Sequence, residues 1–314
     1  MDQPTHAHSH AHTGHEVSHS GRALTLISLA HAINHAQGAL KPLVYPLVLR
    51  ELGFGYSELG IMLGVASAVG GSLQIVAGGL GRIIPRHLLL GLGNVSVGFC
   101  FVLVGLAQSF SHFFFWTALS RVGGAVQHPV GSSLLSHHFK RTHLGSALAT
   151  HFTAGNLGTA AIPFIAALII GLWGWRITTI LFAIPAILIG IAMCLKLHDP
   201  RESSAAAGKS EASFFKDSRE ALGNVRLKWI LLSAAVAAGG SGHGIISSFL
   251  PLYLSHNLDM NTAAVGFIFT LLMLGSIIGP MLGGRLVDRY DSRRVILGGF
   301  ILAALSTTSF PWIA

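Results

Sequence analysis

Charge is scarce in this sequence. Only 10% of its 314 residues are Asp, Glu, Lys or Arg, and 51% are hydrophobic, whereas roughly a quarter of the residues in soluble domains are charged. That balance excludes an ordinary water-soluble globule and fits a membrane protein. Cysteine is nearly absent. Cys100 and Cys194 fall in separate apolar runs, which excludes a disulfide framework and a cysteine metal centre. Carboxylates are few as well, and none of the 12 acidic residues falls in the middle of an apolar run. No Gly-rich phosphate loop follows a strand pattern, no set of nucleophile, base and acid stands out, and the hydrophilic segments are too short to fold alone. Neither an enzyme nor a cofactor is expected. The net charge of +8 is not gathered into one arm or face, so nucleic acid is not the expected partner and membrane topology accounts for the excess.

What the chain has in abundance is long apolar runs. A hydrocarbon core about 30 Å thick needs about 20 mostly apolar residues per helix. Such runs fall near residues 23–49, 57–81, 87–108, 112–136, 144–170, 176–196, 228–254, 262–286 and 294–314. The first run is too long for a signal-peptide core of roughly 7–15 residues, so it is expected to remain as a span. With the N-terminus in the cytoplasm, the inner connections carry Arg82, Arg86, Lys140, Arg141, Arg285, Arg289, Arg293 and Arg294, and the outer ones only Arg50 and Arg176. The positive-inside rule selects that orientation.

The organisation predicted is a His-rich cytoplasmic tail (residues 1–22), a six-helix half (23–196), a cytoplasmic linker (197–227) and a second half of about three helices (228–314). The two halves repeat one another. "YPLVLRELGFGYSELG" from Tyr45 aligns with "LPLYLSHNLDMNTAAVG" from Leu250, Gly78 meets Gly284 and Arg82 meets Asp288. Secondary transporters are often built from such repeats, and this one predicts that a complete second half holds about three further spans. A fragment or a truncated product is the expectation.

Span one is unusual for its polar residues. His31, Asn34, His35, Gly38, Lys41, Pro42 and Tyr45 follow i, i+3, i+4, i+7 spacing and share one helical face, which can turn away from lipid. At 1.5 Å per residue, His35 lies about 18 Å from the inner end of span one, and Arg121 about 15 Å from the outer end of span four. His243 sits deep in span seven, and His128 and His151 fall in spans four and five. Packing hydrogen bonds or snorkelling would explain some of these residues, and the depth of Arg121 argues against both. Intramembrane ionisable groups point to function by default. All those within the spans are cationic or neutral, so an anionic small molecule is the expected substrate. With no carboxylate in view, histidine is the expected proton carrier.

The repeated six-span unit resembles the major facilitator superfamily. Its signature inner loop is matched by Gly284, Asp288, Arg289, Arg293 and Arg294 in "GGRLVDRYDSRR". The first-half copy, "GGLGRIIPRH", has Arg82 at the place of Asp288. Three stretches resemble the fosmidomycin-resistance branch: "SLAHAINHAQGAL" in span one, "VQHPVGSS" in span four and "GNLGTAAIP" in span five. The resemblance implies an all-α multi-pass membrane protein of two six-helix repeats, about nine helices of which are present here. It implies a proton-coupled antiporter in the bacterial inner membrane, exporting a small anionic drug-like compound such as fosmidomycin and so conferring antibiotic resistance. Spans one, four and seven would line its cavity. Arg121, Lys41, His128, Asn34, His35, His243 and Asn156 are the candidate substrate contacts, and His35, His128 and His151 the candidate proton carriers. Two alternatives stand beside this reading. One is a divalent-metal exporter collecting ions on His6, His8, His10 and His12 of the tail. The other is an inactive truncated transporter.

Overall fold

Apolar runs of this length force helices, because in hydrocarbon a chain must satisfy its backbone N–H and C=O groups internally. The computed structural model describes residues 12–200, 219–220, 223–240, 243–287 and 289–313, and those residues contain helices and no strand. The helices are α1 (His12–Leu52), α2 (Tyr56–Ile83), α3 (Arg86–Gly105), α4 (Phe110–Gly124), α5 (Gln127–His138), α6 (Arg141–Lys196), α7 (Val225–Gly240), α8 (His243–His256), α9 (Thr262–Val287) and α10 (Ser292–Ile313). Four of them, α2, α3, α6 and α9, are long and apolar enough to cross a membrane by length and composition alone. At 41 residues, α1 has the length and carries the polar stripe.

Three departures from unbroken spans matter. The run across residues 112–136 is divided into α4 and α5 at Ala125 and Val126, both of which keep helical backbone angles. The sixth helix holds two spans joined at Gly174, whose φ of 75° lies in the left-handed region that favours glycine. There the chain reverses, so that the first part of α6 runs beside α1 and the second part returns along α3. Pro42 and Pro46 lie inside α1, and Pro163 and Pro185 inside α6. Each proline removes a ladder hydrogen bond, a loss that membrane helices tolerate when neighbours re-satisfy the backbone.

Close packing rests on small residues, since lipid offers no hydrophobic drive for one helix to leave it for another. A Cβ on Gly98 of α3 would stand 2.9 Å from the carbonyl oxygen of Ala183, leaving no room for a side chain between α3 and the returning part of α6. Large apolar side chains such as Leu172, Leu195, Ile75 and Leu302 are exposed on the outside of the bundle.

Two apolar clusters occupy opposite ends. At the end carrying Gly53 and Gly174, Leu43, Val48, Phe113 and Trp175 pack with Leu252, Leu254, Val265 and Phe269 from α8 and α9. At the end carrying Arg86 and Phe139, the cluster of Ile27, Leu90, Leu134, Met193 and their neighbours draws, among the described residues, on those before 198. Among the described residues, contacts across the pseudo-repeat are therefore concentrated at the first end. There Tyr56 Oη lies 2.8 Å from His256 Nδ1, and the Phe164 amide donates to Thr270 Oγ1 at 2.9 Å.

Each end also carries an electrostatic staple. At the first, Glu51 takes hydrogen bonds from Trp175 Nε1 and Arg176 Nε, and Arg176 Nη1 donates to the carbonyls of Gly105 and Ala107. At the second, Asp199 accepts from the Arg86 amide at 3.1 Å, and Arg86 Nη1 lies 2.8 Å from His137 Nδ1. His87, in the first turn of α3, is buried at this end of the bundle.

Candidate substrate cavity

Between the two ends lies a cavity of about 480 Å³. The α1 stripe supplies Asn34, His35, Gly38, Lys41 and Pro42, α4 supplies Arg121, and α5 supplies His128. Asn156 and Thr159 of α6, Gln74 of α2 and Ser247 and Ser248 of α8 complete its polar wall.

The two cations are held differently. Lys41 reaches Ser120 Oγ at 3.4 Å, and its Nζ lies 5.2 Å from the centroid of the Phe101 ring. Arg121 is exposed to the cavity. Its guanidinium rests against α2 at Gly70, where a Cβ would come within 2.9 Å of Nε. Among the described residues, neither cation has a carboxylate partner. Arginine stays charged at any physiological pH, so the cavity presents at least one fixed positive charge with its donors unspent.

Histidine forms the floor on the Arg86 side. His31 is 1% exposed and donates from Nδ1 to the His151 carbonyl at 2.9 Å. The His151 ring stacks on it at 4.1 Å between centroids. The His35 ring stands edge-on to His31 at 4.5 Å, and that of His128 at 5.1 Å. His35 Nδ1 meets Thr159 Oγ1 at 2.9 Å. Room for this cluster comes from Gly155, whose Cβ would fall 2.8 Å from His31 Cε1.

Of the residues singled out in the sequence, Asn34, His35, Lys41, Arg121, His128 and Asn156 meet at this cavity. His151 lies behind it, fully buried against His31. His243 opens α8, and its side chain lies outside the described residues, as does all of Asp288. Arg289, Arg293 and Arg294 are exposed beyond α9, and Gly284 belongs to its last turns. The tail residues His6, His8 and His10, and the side chain of His12, are likewise outside the described residues. Sequence reasoning missed Thr159 and the His31–His151 stack. Their one signal was Gly155 lying four residues from each, which puts all three on adjacent turns of one face.

Residues 27–314 match the family model described as Major Facilitator Superfamily, and the chain belongs to that family of membrane transporters. Among its relatives, it is 26% identical over 293 residues to the uncharacterised MFS-type transporter YfnC of Bacillus subtilis, covering 92% of this chain and 71% of that protein. It is also 26% identical to the probable nitrate transporter NarT of Staphylococcus carnosus, covering 91% of this chain and 73% of that protein. The fold is similar to that of a bacterial homologue of the human lysosomal transporter Spinster in an inward-facing, unoccupied conformation. That likeness has a TM-score of 0.69 at 19% identity, and covers 88% of this chain and 64% of that one.

Proposed function

We propose that this protein is a proton-coupled secondary transporter that exports a small anion, of the class of the phosphonate fosmidomycin, across the bacterial inner membrane. The observation that carries the reading is that Lys41 and Arg121 meet in one cavity without a carboxylate partner among the described residues. A guanidinium gives a phosphonate or carboxylate two parallel hydrogen bonds, and the ammonium adds a point charge. Asn34, Asn156 and His128 are placed to take the remaining oxygens, and His243 belongs to the same candidate set. The name of NarT, a probable transporter of another small anion, and the three stretches resembling the fosmidomycin-resistance branch support the same class.

In this reading the Arg86 end faces the cytoplasm, because the basic connections cluster there. With contacts across the repeat gathered at the Gly53 end, the cavity is then closed to the outside and accessible from within. His35, His128 and His151 serve as the proton carriers, and the loop of Gly284, Asp288, Arg289, Arg293 and Arg294 gates the inner side. Residues 23–196 and 228–314 belong to two halves that rock about the cavity, with 197–227 as their linker.

The test is growth of a drug-sensitive bacterium in fosmidomycin while it expresses the full chain, with Arg121→Ala at matched membrane abundance. Resistance that disappears in the variant is expected. No resistance, or equal resistance without Arg121, overturns the assignment.

A further inference from the structure

Inside the cavity floor, one ring nitrogen from each of His31, His35 and His128 lies within 4.8 Å of the other two. We propose that these three imidazoles form a binding site for a divalent transition-metal ion such as Zn²⁺, Co²⁺ or Ni²⁺, with its open coordination position on the cavity.

The hydrogen bonds fix which nitrogens are available. A carbonyl only accepts, so His31 carries its proton on Nδ1, facing the His151 carbonyl. Its Nε2 is then a bare lone pair, buried and without a hydrogen-bond partner among the described residues. With the Thr159 hydroxyl proton directed to the Gly155 carbonyl at 3.2 Å, Thr159 Oγ1 accepts from His35 Nδ1–H at 2.9 Å. His35 Nε2 is therefore a lone pair too. In each residue an outer oxygen holds the tautomer that metal ligation needs, the usual second shell of a histidine metal site.

Geometry agrees. Some point lies within about 2.8 Å of three atoms that are mutually no more than 4.8 Å apart, and a Zn–N bond is roughly 2.0–2.1 Å. The nitrogens that make this triangle then have to move inward by less than about 1 Å each. Three neutral nitrogens favour borderline divalent ions over Mg²⁺ or Ca²⁺, which take oxygen. His151 stacks face to face on His31, which directs its nitrogens elsewhere and makes it a buttress. Repulsion from Arg121 is countered if the fourth ligand is an anion shared between the metal and the guanidinium. The site itself does not depend on which anion the cavity carries, or in which direction. While the ion is bound, the ligating nitrogens of His35 and His128 are not free to carry a proton, so metal binding and proton carriage at these two residues exclude one another.

The six tail histidines, His6, His8, His10, His12, His15 and His19, would obscure a binding measurement, so all are first changed to Ser in the full chain. The purified protein in detergent is then titrated with Co²⁺, followed by visible absorption, and with Zn²⁺ as competitor. One equivalent is expected to bind with the intense bands of low-coordinate, nitrogen-ligated Co²⁺. His31→Gln, His35→Ala and His128→Ala are expected to lose it, Thr159→Val to weaken it about 10-fold, and His151→Phe to keep it. Thermal melting of each variant without metal identifies any that has failed to fold. Absence of a bound equivalent, or binding unchanged in folded His35→Ala and His128→Ala, overturns the site. Fosmidomycin resistance, scored separately, leaves this result unaffected.

Discussion

A Cβ built on Gly70 would lie 2.9 Å from Nε and 3.2 Å from Nη2 of Arg121, so the guanidinium of α4 is seated on bare backbone of α2. Glycine at that point is what allows the charge to stand in the cavity at its present height. Gly70→Val is expected to displace the guanidinium without unfolding the bundle, because the far end of a flexible side chain can move. Apparent affinity for the anion should fall by about 10-fold, the equivalent of roughly 1.4 kcal/mol. Arg121→Ala removes a charge-assisted hydrogen bond worth about 1.5–3 kcal/mol, and should cost at least as much. Uptake of labelled phosphonate into inverted membrane vesicles measures both, and an unchanged KM in Gly70→Val would refute the seating.

The relation between Gly70 and Arg121 was not legible in the sequence, although each residue was. Helical spacing put His31, Asn34, His35 and Lys41 on one face, and the cavity has three of these four in its wall. The fourth, His31, turns to α6 because Gly155 leaves a hollow there. Periodicity describes a single helix, whereas which neighbour takes each part of a face depends on small residues elsewhere in the chain. The reversal at Gly174 was legible, since one apolar run ends near 170 and the next begins near 176, whereas nothing in the apolar run across residues 112–136 marks the division into α4 and α5.

Gly158 marks the tightest approach of α6 to α1. Its Cβ would fall 2.2 Å from the carbonyl oxygen of Ala32 and 2.9 Å from the carbonyl carbon, and backbone cannot swing aside. Gly158→Ala is expected to destabilise the protein by about 1–3 kcal/mol through overpacking. Gly145→Ala, with nothing within 4 Å of the new methyl group, should hold the melting temperature or raise it slightly, since alanine in a helix is favoured over glycine by about 0.5–1 kcal/mol. Thermal unfolding of the two variants in detergent, each compared with the parent, makes the test. Equal stability of both would mean that α1 and α6 are less closely packed at this crossing.

Tyr56 and His256 join α2 to α8 across the repeat, with Oη and Nδ1 2.8 Å apart. If transport requires the Gly53 end to open, tethering this pair should stop it. Tyr56→Cys with His256→Cys, in a chain whose Cys100 and Cys194 are changed to Ser, gives two thiols for a short bifunctional reagent. Cross-linked protein in vesicles is expected to bind substrate from the open side and release none, with activity returning when a cleavable linker is cut. Undiminished turnover of fully cross-linked protein would place the moving contact elsewhere.

At the same end, the Glu51 carboxylate is held by Trp175 Nε1 at 2.6 Å and by Arg176 Nε at 2.9 Å, with Arg176 Nη2 at 2.8 Å. The Trp175 hydrogen bond, the largest influence, acts with the hydrogen bond and charge of Arg176 to hold its pKa below the ordinary carboxylate value, against an opposing effect of burial that is second in size. A carboxyl whose folded value is depressed stabilises the fold above its unfolded pKa of about 4.3, and that contribution is lost as pH falls through the folded value. Glu51→Gln should therefore melt below the parent at pH 7, and the gap should close as the solution is acidified beyond the folded value. Because the Glu51 side chain is 48% exposed, solvent screening limits the gap to less than about 1 kcal/mol. Arg176→Ala is expected to cost more at every pH, because it also strips the Gly105 and Ala107 carbonyls of their donor. A gap for Glu51→Gln that persisted unchanged in acid would mean that the side chain's shape, and not its charge, holds α1 to the turn at Gly174.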